Sequence, residues 1–204
     1  TGRQFATRFG FAASNLPDNL SLALGSASLT PTRMTAGYAA LANGGRRVQP
    51  YLIDRVVTCG GIVVADRTPA PTVTEGSKST PGPRILSRQV AYQITDILEG
   101  VVTEGTGWRV ERRLDRPVAG KTGTTNRQRD AWFLGYTPRL ATGVWVGFDQ
   151  PRSLGRHETG SRAASPIWAD FMADALAGTP VEPYQRPPGL IRVRIDSETG
   201  LLAG

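Results

Sequence analysis

Three β-prone runs follow one another in this chain with little between them: 117–125, Ala131 to Tyr136, and Leu140 to Phe148. The links are the polar stretch Asn126-Arg127-Gln128-Arg129-Asp130 and the triplet Thr137-Pro138-Arg139. A parallel pair of strands needs a crossover of about a dozen residues or more, whereas antiparallel neighbours need only a tight turn. The three runs are therefore predicted to form an antiparallel sheet. Trp132, Phe133, Val144, Trp145, Val146 and Phe148 supply its bulk. The third run carries apolar residues at neighbouring positions, which predicts cover on both of its faces.

Helical signals flank this sheet. Residues 1–11 read as the end of a helix closed by Gly10, and Ser14 to Asn19 as a turn cluster. Thr30-Pro31 is a helix start, with Thr capping and Pro at the first position. Met34, Tyr38 and Leu41 recur at helical spacing until Asn43-Gly44-Gly45 stops the helix. Residues 48–66 look like a β-hairpin around a Gly-Gly turn. Residues 68–83, with four Pro and two Gly, read as a surface loop. From Ser87 to Glu104, Val90, Ala91, Ile94, Ile97, Leu98, Val101 and Val102 make one broad apolar helical face. Residues 108–116 are a charged connection. Ser165-Pro166 opens a last helix with Ile167, Trp168, Phe171, Met172, Ala175 and Leu176 on one face, and Gly178 ends it. The fold class expected is α/β, in the α+β sense. An antiparallel sheet that includes the hairpin is flanked by helices 87–104 and 165–177. Residues 1–178 form the domain, and 179–204 a Pro-rich tail with a strand-like Leu190 to Ile195.

Composition excludes several classes of function. The 204 residues are 39% hydrophobic and 20% charged, enough apolar material for a core and too little charge for a disordered chain. No apolar run approaches the roughly 18 residues of a membrane span. The net charge is +7, but the Arg residues are scattered, with no basic helix or aromatic-interleaved patch to grip nucleic acid. Cys59 is the single cysteine, so no internal disulfide forms. His157 is the single histidine, which removes an imidazole-built metal site; no metal and no cofactor are expected. A catalytic role for His157 beside Glu158 finds no nucleophile nearby to complete it. The chain opens on Thr1 rather than Met, as expected of a piece of something longer.

The stretch from Pro117 to Thr125 carries the chemistry. Of 24 basic residues, 22 are Arg; the two Lys are Lys78, in the Pro-rich loop, and Lys121. Lys can release its proton in a tuned environment, and Arg cannot. In a strand, Thr122 and Thr124 point one way, Lys121 and Gly123 the other. Gly123 marks a place where another group approaches the backbone. Paired hydroxyls, an ammonium and a bare backbone suit a carboxylate or a carbonyl oxygen. From these residues alone, an ordinary Thr-rich edge strand remains the alternative.

Longer stretches carry a resemblance. Gly120-Lys121-Thr122-Gly123-Thr124-Thr125-Asn126, then Asp130 to Tyr136 and Gly143 to Asp149, resemble the end of a penicillin-binding transpeptidase domain, more narrowly that of the bifunctional class A proteins of Gram-negative bacteria. Leu22 to Pro31, Ala39 to Gly45, Leu98 to Val102 and Ser165 to Trp168 agree, in order, from about residue 3 to 178. The family has three motifs, Ser-x-x-Lys, Ser-x-Asn and Lys-Thr-Gly, and only the third occurs here. The resemblance therefore implies the C-terminal part of such a domain, of the serine β-lactamase-like fold with a five-stranded sheet. The N-terminal part, with the acylated Ser, the glycosyltransferase domain and the membrane anchor, would lie upstream of Thr1.

That resemblance implies a peptidoglycan D-Ala-D-Ala transpeptidase that cross-links stem peptides through a serine acyl-enzyme and is acylated by β-lactams, at the periplasmic face of the inner membrane. Thr122 and Thr124 would bind the terminal carboxylate, with Gly123 and Thr125 completing the binding strand. The Thr124 N–H would be one oxyanion donor, and Lys121 would add charge and hold the middle motif. Asn126 and Asp130 would be turn and structural groups. The implied partners are the stem peptide, β-lactam antibiotics and the N-terminal remainder of the same protein. Two alternatives stay open: a serine β-lactamase or carboxypeptidase, and a non-catalytic penicillin-binding-like module that only recognises stem peptides or partners.

Overall fold

A computed structural model describes residues 1–66, 82–196 and 198–202. Most of the 68–83 loop, Lys78 included, lies outside the described residues. The elements in chain order are α1 (Gly2–Thr7), α2 (Pro31–Ala42), β1 (Arg55–Val57), β2 (Val63–Asp66), α3 (Arg88–Thr103), α4 (Trp108–Glu111), β3 (Ala119–Thr124), β4 (Asp130–Tyr136), β5 (Ala141–Gly147) and α5 (Ser165–Ala175). The caps follow the sequence. Thr30 accepts from the Arg33 N–H ahead of α2, and Ser87 accepts from the Val90 N–H ahead of α3.

The main sheet is antiparallel in the order β3-β4-β5, with β3 at one edge. Its register sets Thr122 opposite Phe133 and Phe133 opposite Val144, and it sets Lys121 opposite Leu134 and Leu134 opposite Gly143. Residues opposite one another share a face. Thr122, Thr124 and Phe133 thus lie on one face, where Phe133 and Trp168 of α5 pack 5.0 Å apart, both fully buried. The Trp168 indole N–H donates to the Thr142 carbonyl at 2.9 Å and pins α5 to β5. Val102, Val110, Leu114, Met172 and Leu176 complete this core. On the opposite face α2 approaches so closely that a Cβ at Gly143 would fall 2.2 Å from the Thr35 hydroxyl. The third strand therefore runs between two helices.

Two expectations need correction. The 48–66 hairpin does not join the main sheet. Strands β1 and β2 form a separate two-stranded sheet, with a register shift at Val56/Val57, and every residue of both strands is exposed. Alternation marks a strand but not the sheet it joins, because pairing is settled by what covers each face. Only three strands of the implied five-stranded sheet occur among the described residues.

The apolar face expected on α3 is also displaced. Val90 and Ile97 are exposed, and the buried positions are Ala91, Thr95 and Val102. Thr95 can be buried because its hydroxyl donates to the Ala91 carbonyl at 2.9 Å, leaving the oxygen to meet the Tyr136 hydroxyl at 2.8 Å.

Helix α5 begins at Ser165, as expected, with no side-chain cap. A turn of π-helix, Gly160–Ala164, runs straight into it, and the Ser165 hydroxyl reaches back to the Ser161 carbonyl at 2.8 Å. The connection 108–116 contains α4, whose Val110 is wholly buried.

The segment after Thr179 runs back over the domain. The Tyr184 hydroxyl donates to the Tyr136 carbonyl at 2.6 Å, Gln89 donates to the Pro188 carbonyl at 3.0 Å, and Arg139 pairs with Glu182.

Candidate active site

Among the described residues β3 pairs with β4 alone, which leaves it at the edge of the sheet. The Thr125 N–H donates to the Asp130 carbonyl at 3.1 Å, toward β4. Backbone groups of successive residues in a strand point in opposite directions. The Thr124 N–H and the Thr122 carbonyl therefore point to the open side. There the Lys121 ammonium donates to the Thr122 carbonyl at 2.9 Å. Lys121 and Thr124 are exposed, and Thr122 and Gly123 are half-buried. This margin offers an ammonium, a backbone donor and two hydroxyls, a set suited to an anionic oxygen.

Each hydroxyl has a group behind it. Thr122 Oγ1 lies 2.7 Å from Thr106 Oγ1, in the connection between α3 and α4. Thr124 Oγ1 accepts from the Gly160 N–H at 3.0 Å. Since Thr124 accepts there, its own proton remains free to donate. Gly160 is close because it has no side chain: a Cβ there would sit 2.3 Å from the Trp132 carbonyl oxygen and 2.6 Å from that of Gly123. The close approach expected at Gly123 is thus made by Gly160. A Cβ at Gly123 itself would meet Trp132 Cβ at 3.2 Å, tight against the neighbouring strand.

Thr125 is placed differently from its neighbours. Its hydroxyl donates to the Asp130 carboxylate at 3.0 Å and accepts from the Asp130 N–H at 2.9 Å. The other carboxylate oxygen of Asp130 accepts from the Trp145 indole at 2.9 Å. Thr125 and Asp130 therefore close the β3–β4 hairpin, helped by Arg127 and Gln128 in positive-φ conformations. His157, also at positive φ, turns the chain ahead of Gly160.

At the far end of β3, buried Tyr136 meets half-buried Tyr184 and Tyr38. Tyr184 accepts from the Ala119 N–H at 3.0 Å, and its ring meets that of Tyr136 edge-on. Burial pushes the Tyr136 hydroxyl up to about 12 and those of Tyr184 and Tyr38 upward too. Burial, with Asp96 beside it, also raises the Glu99 carboxyl.

Sequence reasoning missed Thr106, Gly160, Thr95 and Tyr184. Glu104-Gly105-Thr106-Gly107 reads only as a helix end, Gly160 is one glycine in a polar loop, and Tyr184 stands in a Pro-rich run. No local pattern sets them apart.

With an edge strand bearing Lys-Thr-Gly-Thr between a sheet and flanking helices, the architecture is that of the penicillin-binding transpeptidases. The chain belongs to the penicillin binding protein transpeptidase domain family, whose model matches residues 8–173. It is 37% identical to penicillin-binding protein 1A of Pseudomonas aeruginosa, over 96% of this chain and 29% of that protein. It is 38% identical to penicillin-binding protein 1A of Neisseria flavescens, over 93% of this chain and 23% of that protein. The chain thus spans less than a third of either relative. Among solved structures it resembles penicillin-binding protein 1A from Haemophilus influenzae, with a TM-score of 0.87 at 33% identity, covering 98% of this chain and 34% of that one. It also resembles the PonA1 protein of Mycobacterium tuberculosis in complex with penicillin V, with a TM-score of 0.66 at 31% identity, covering 86% and 46%.

Proposed function

We propose that this chain supplies the substrate-binding strand of a peptidoglycan D-Ala-D-Ala transpeptidase whose attacking serine lies in the preceding part of the same protein. The observation that carries the proposal is the open margin of β3. Thr122 and Thr124 share a face, the Thr124 N–H points outward, and the Lys121 ammonium sits on the same edge. Family membership and the penicillin V complex of a relative support it.

The chemistry follows. The stem peptide ends in a carboxylate, which the Thr122 and Thr124 hydroxyls receive while Lys121 adds positive charge. The serine oxygen attacks the carbonyl of the penultimate D-Ala. The oxygen of the resulting tetrahedral intermediate accepts from the Thr124 N–H, a kind of interaction worth about 3–4 kcal/mol in a transition state. The C–N bond then breaks, and the terminal D-Ala leaves with the proton taken from the serine. An amine of a second stem attacks the ester, forms the cross-link and returns the serine hydroxyl. A β-lactam enters the same margin by its own carboxylate and stops at the ester. Gly123 leaves no side chain beside Lys121 on the face they share, and Thr125 sets the hairpin that ends the strand.

The working domain acts at the periplasmic face of the bacterial inner membrane, a reading supported by membership in the penicillin binding protein transpeptidase family. No described helix is long and apolar enough to cross a membrane.

The 204 residues contain neither Ser-x-x-Lys nor Ser-x-Asn. Intact mass after incubation with benzylpenicillin should show an adduct on the full-length protein and none on this segment alone. An adduct on the segment, or an unmodified full-length protein, overturns the proposal.

A further inference from the structure

Thr106 has no role in the chemistry described above, yet its hydroxyl oxygen stands 2.7 Å from that of Thr122. The two residues come from different elements. Thr122 belongs to the edge strand, and Thr106 to the turn that closes α3, where the Gly107 N–H donates to the Val101 carbonyl at 2.9 Å. A side chain at Gly107 would fall 3.1 Å from that carbonyl oxygen and from Val102 Cα, so the turn lies flat against α3. Thr106 is thereby carried on a braced turn.

A hydroxyl has one proton to give and can also accept. For Thr122 to donate to a carboxylate, the 2.7 Å bond must run from Thr106 to Thr122. We infer that Thr106 is a positioning residue. It donates its hydroxyl proton to Thr122 Oγ1 and so leaves the Thr122 proton to be given to the carboxylate of the stem peptide or β-lactam. Thr124 is arranged in the same way, because the Gly160 N–H, which can only donate, fills its accepting position. The strand thus presents two hydroxyls, each fed from behind by a donor from another part of the chain. The inference deepens the proposed function and rests on its assignment of Thr122 to the carboxylate.

The test uses the full-length protein and two probes, benzylpenicillin and its methyl ester, which lacks the charged carboxylate. The readout is the ratio of their acylation rate constants. A general loss of folded or reactive protein affects both probes and leaves the ratio alone. Thr122→Val should lower the ratio. Thr106→Val should lower it roughly three- to tenfold, the span expected for one uncharged hydrogen bond. Thr106→Ser should restore it, and Thr106→Val added to Thr122→Val should lower it no further. If Thr122→Val lowers the ratio and Thr106→Val does not, or if the two effects add in full, the role of Thr106 is overturned while the carboxylate assignment stands. If Thr122→Val leaves the ratio unchanged, the assignment of Thr122 fails, and the role of Thr106 falls with it.

Discussion

The hydroxyl of Tyr184 accepts a hydrogen bond from the backbone N–H of Ala119 at 3.0 Å, across 65 positions of sequence. The same hydroxyl donates to the carbonyl of Tyr136, the residue paired with Ala119 in the sheet. One side-chain oxygen therefore bridges the end of the β3–β4 ladder, two residues before Lys121.

Removing that oxygen leaves a buried N–H and a buried carbonyl without this partner. Tyr184→Phe is expected to lower stability by about 2 kcal/mol, in keeping with the cost of unsatisfied buried polar groups. Chemical denaturation of the full-length variant measures this, and amide exchange at Ala119 should quicken. Unchanged exchange there would mean that the bridge does not hold the strand.

The tyrosine cluster also sets an alkaline limit. Burial raises Tyr136 to about 12 and raises Tyr184 as well, whereas in the unfolded chain both titrate near 10. From about pH 10 upward the unfolded chain releases protons that the folded chain keeps, so stability falls as pH rises toward about 12. Below that window the contribution is complete. Denaturation midpoints across the alkaline range should decline with this sign, and the decline should be shallower in Tyr136→Phe. A flat profile in the unaltered protein would contradict the burial.

Gly160 admits no side chain. The atoms a Cβ would strike, at 2.3 and 2.6 Å, are backbone oxygens of Trp132 and Gly123, which cannot swing aside. In the full-length protein Gly160→Ala should displace the donor behind Thr124 and slow benzylpenicillin acylation by up to about a hundredfold, as small displacements at reacting groups do. Acylation at the normal rate would show that the strand does not depend on this close packing.

Lys121 lies on the open edge, its ammonium against the Thr122 carbonyl. In the full-length protein Lys121→Ala should sharply reduce acylation, and Lys121→Arg should recover it only in part, because a planar guanidinium does not replace a compact ammonium. Rate constants from stopped-flow or gel-based labelling decide this, and near-normal acylation in Lys121→Ala would remove Lys121 from the mechanism.

Much of this protein follows from patterns within a few residues. A period of two puts Thr122 and Thr124 on one face, and the short links from Thr125 to Asp130 and from Tyr136 to Ala141 require antiparallel neighbours. The cap at Thr30 and the stop at Asn43 bound α2 in the same local way. Local pattern carries no information about what lies on the far side of a face. For that reason the 48–66 hairpin was legible as a hairpin but not as a separate sheet, and α3 showed its apolar positions but not that Thr95 would be buried in place of Ile97.

What supports the site comes from distant segments. Thr106, Gly160 and Tyr184 stand 16, 36 and 65 positions from the β3 residues they meet. Whether those hydrogen bonds form depends on chain closure and on the fit of packed surfaces, which bring together residues that no short stretch of sequence connects. Residue order is enough to set the strand, its alternation and the kinds of group it carries. Which donors stand behind its hydroxyls depends on the folded arrangement, because a hydrogen bond is fixed by distance in space and not by spacing along the chain.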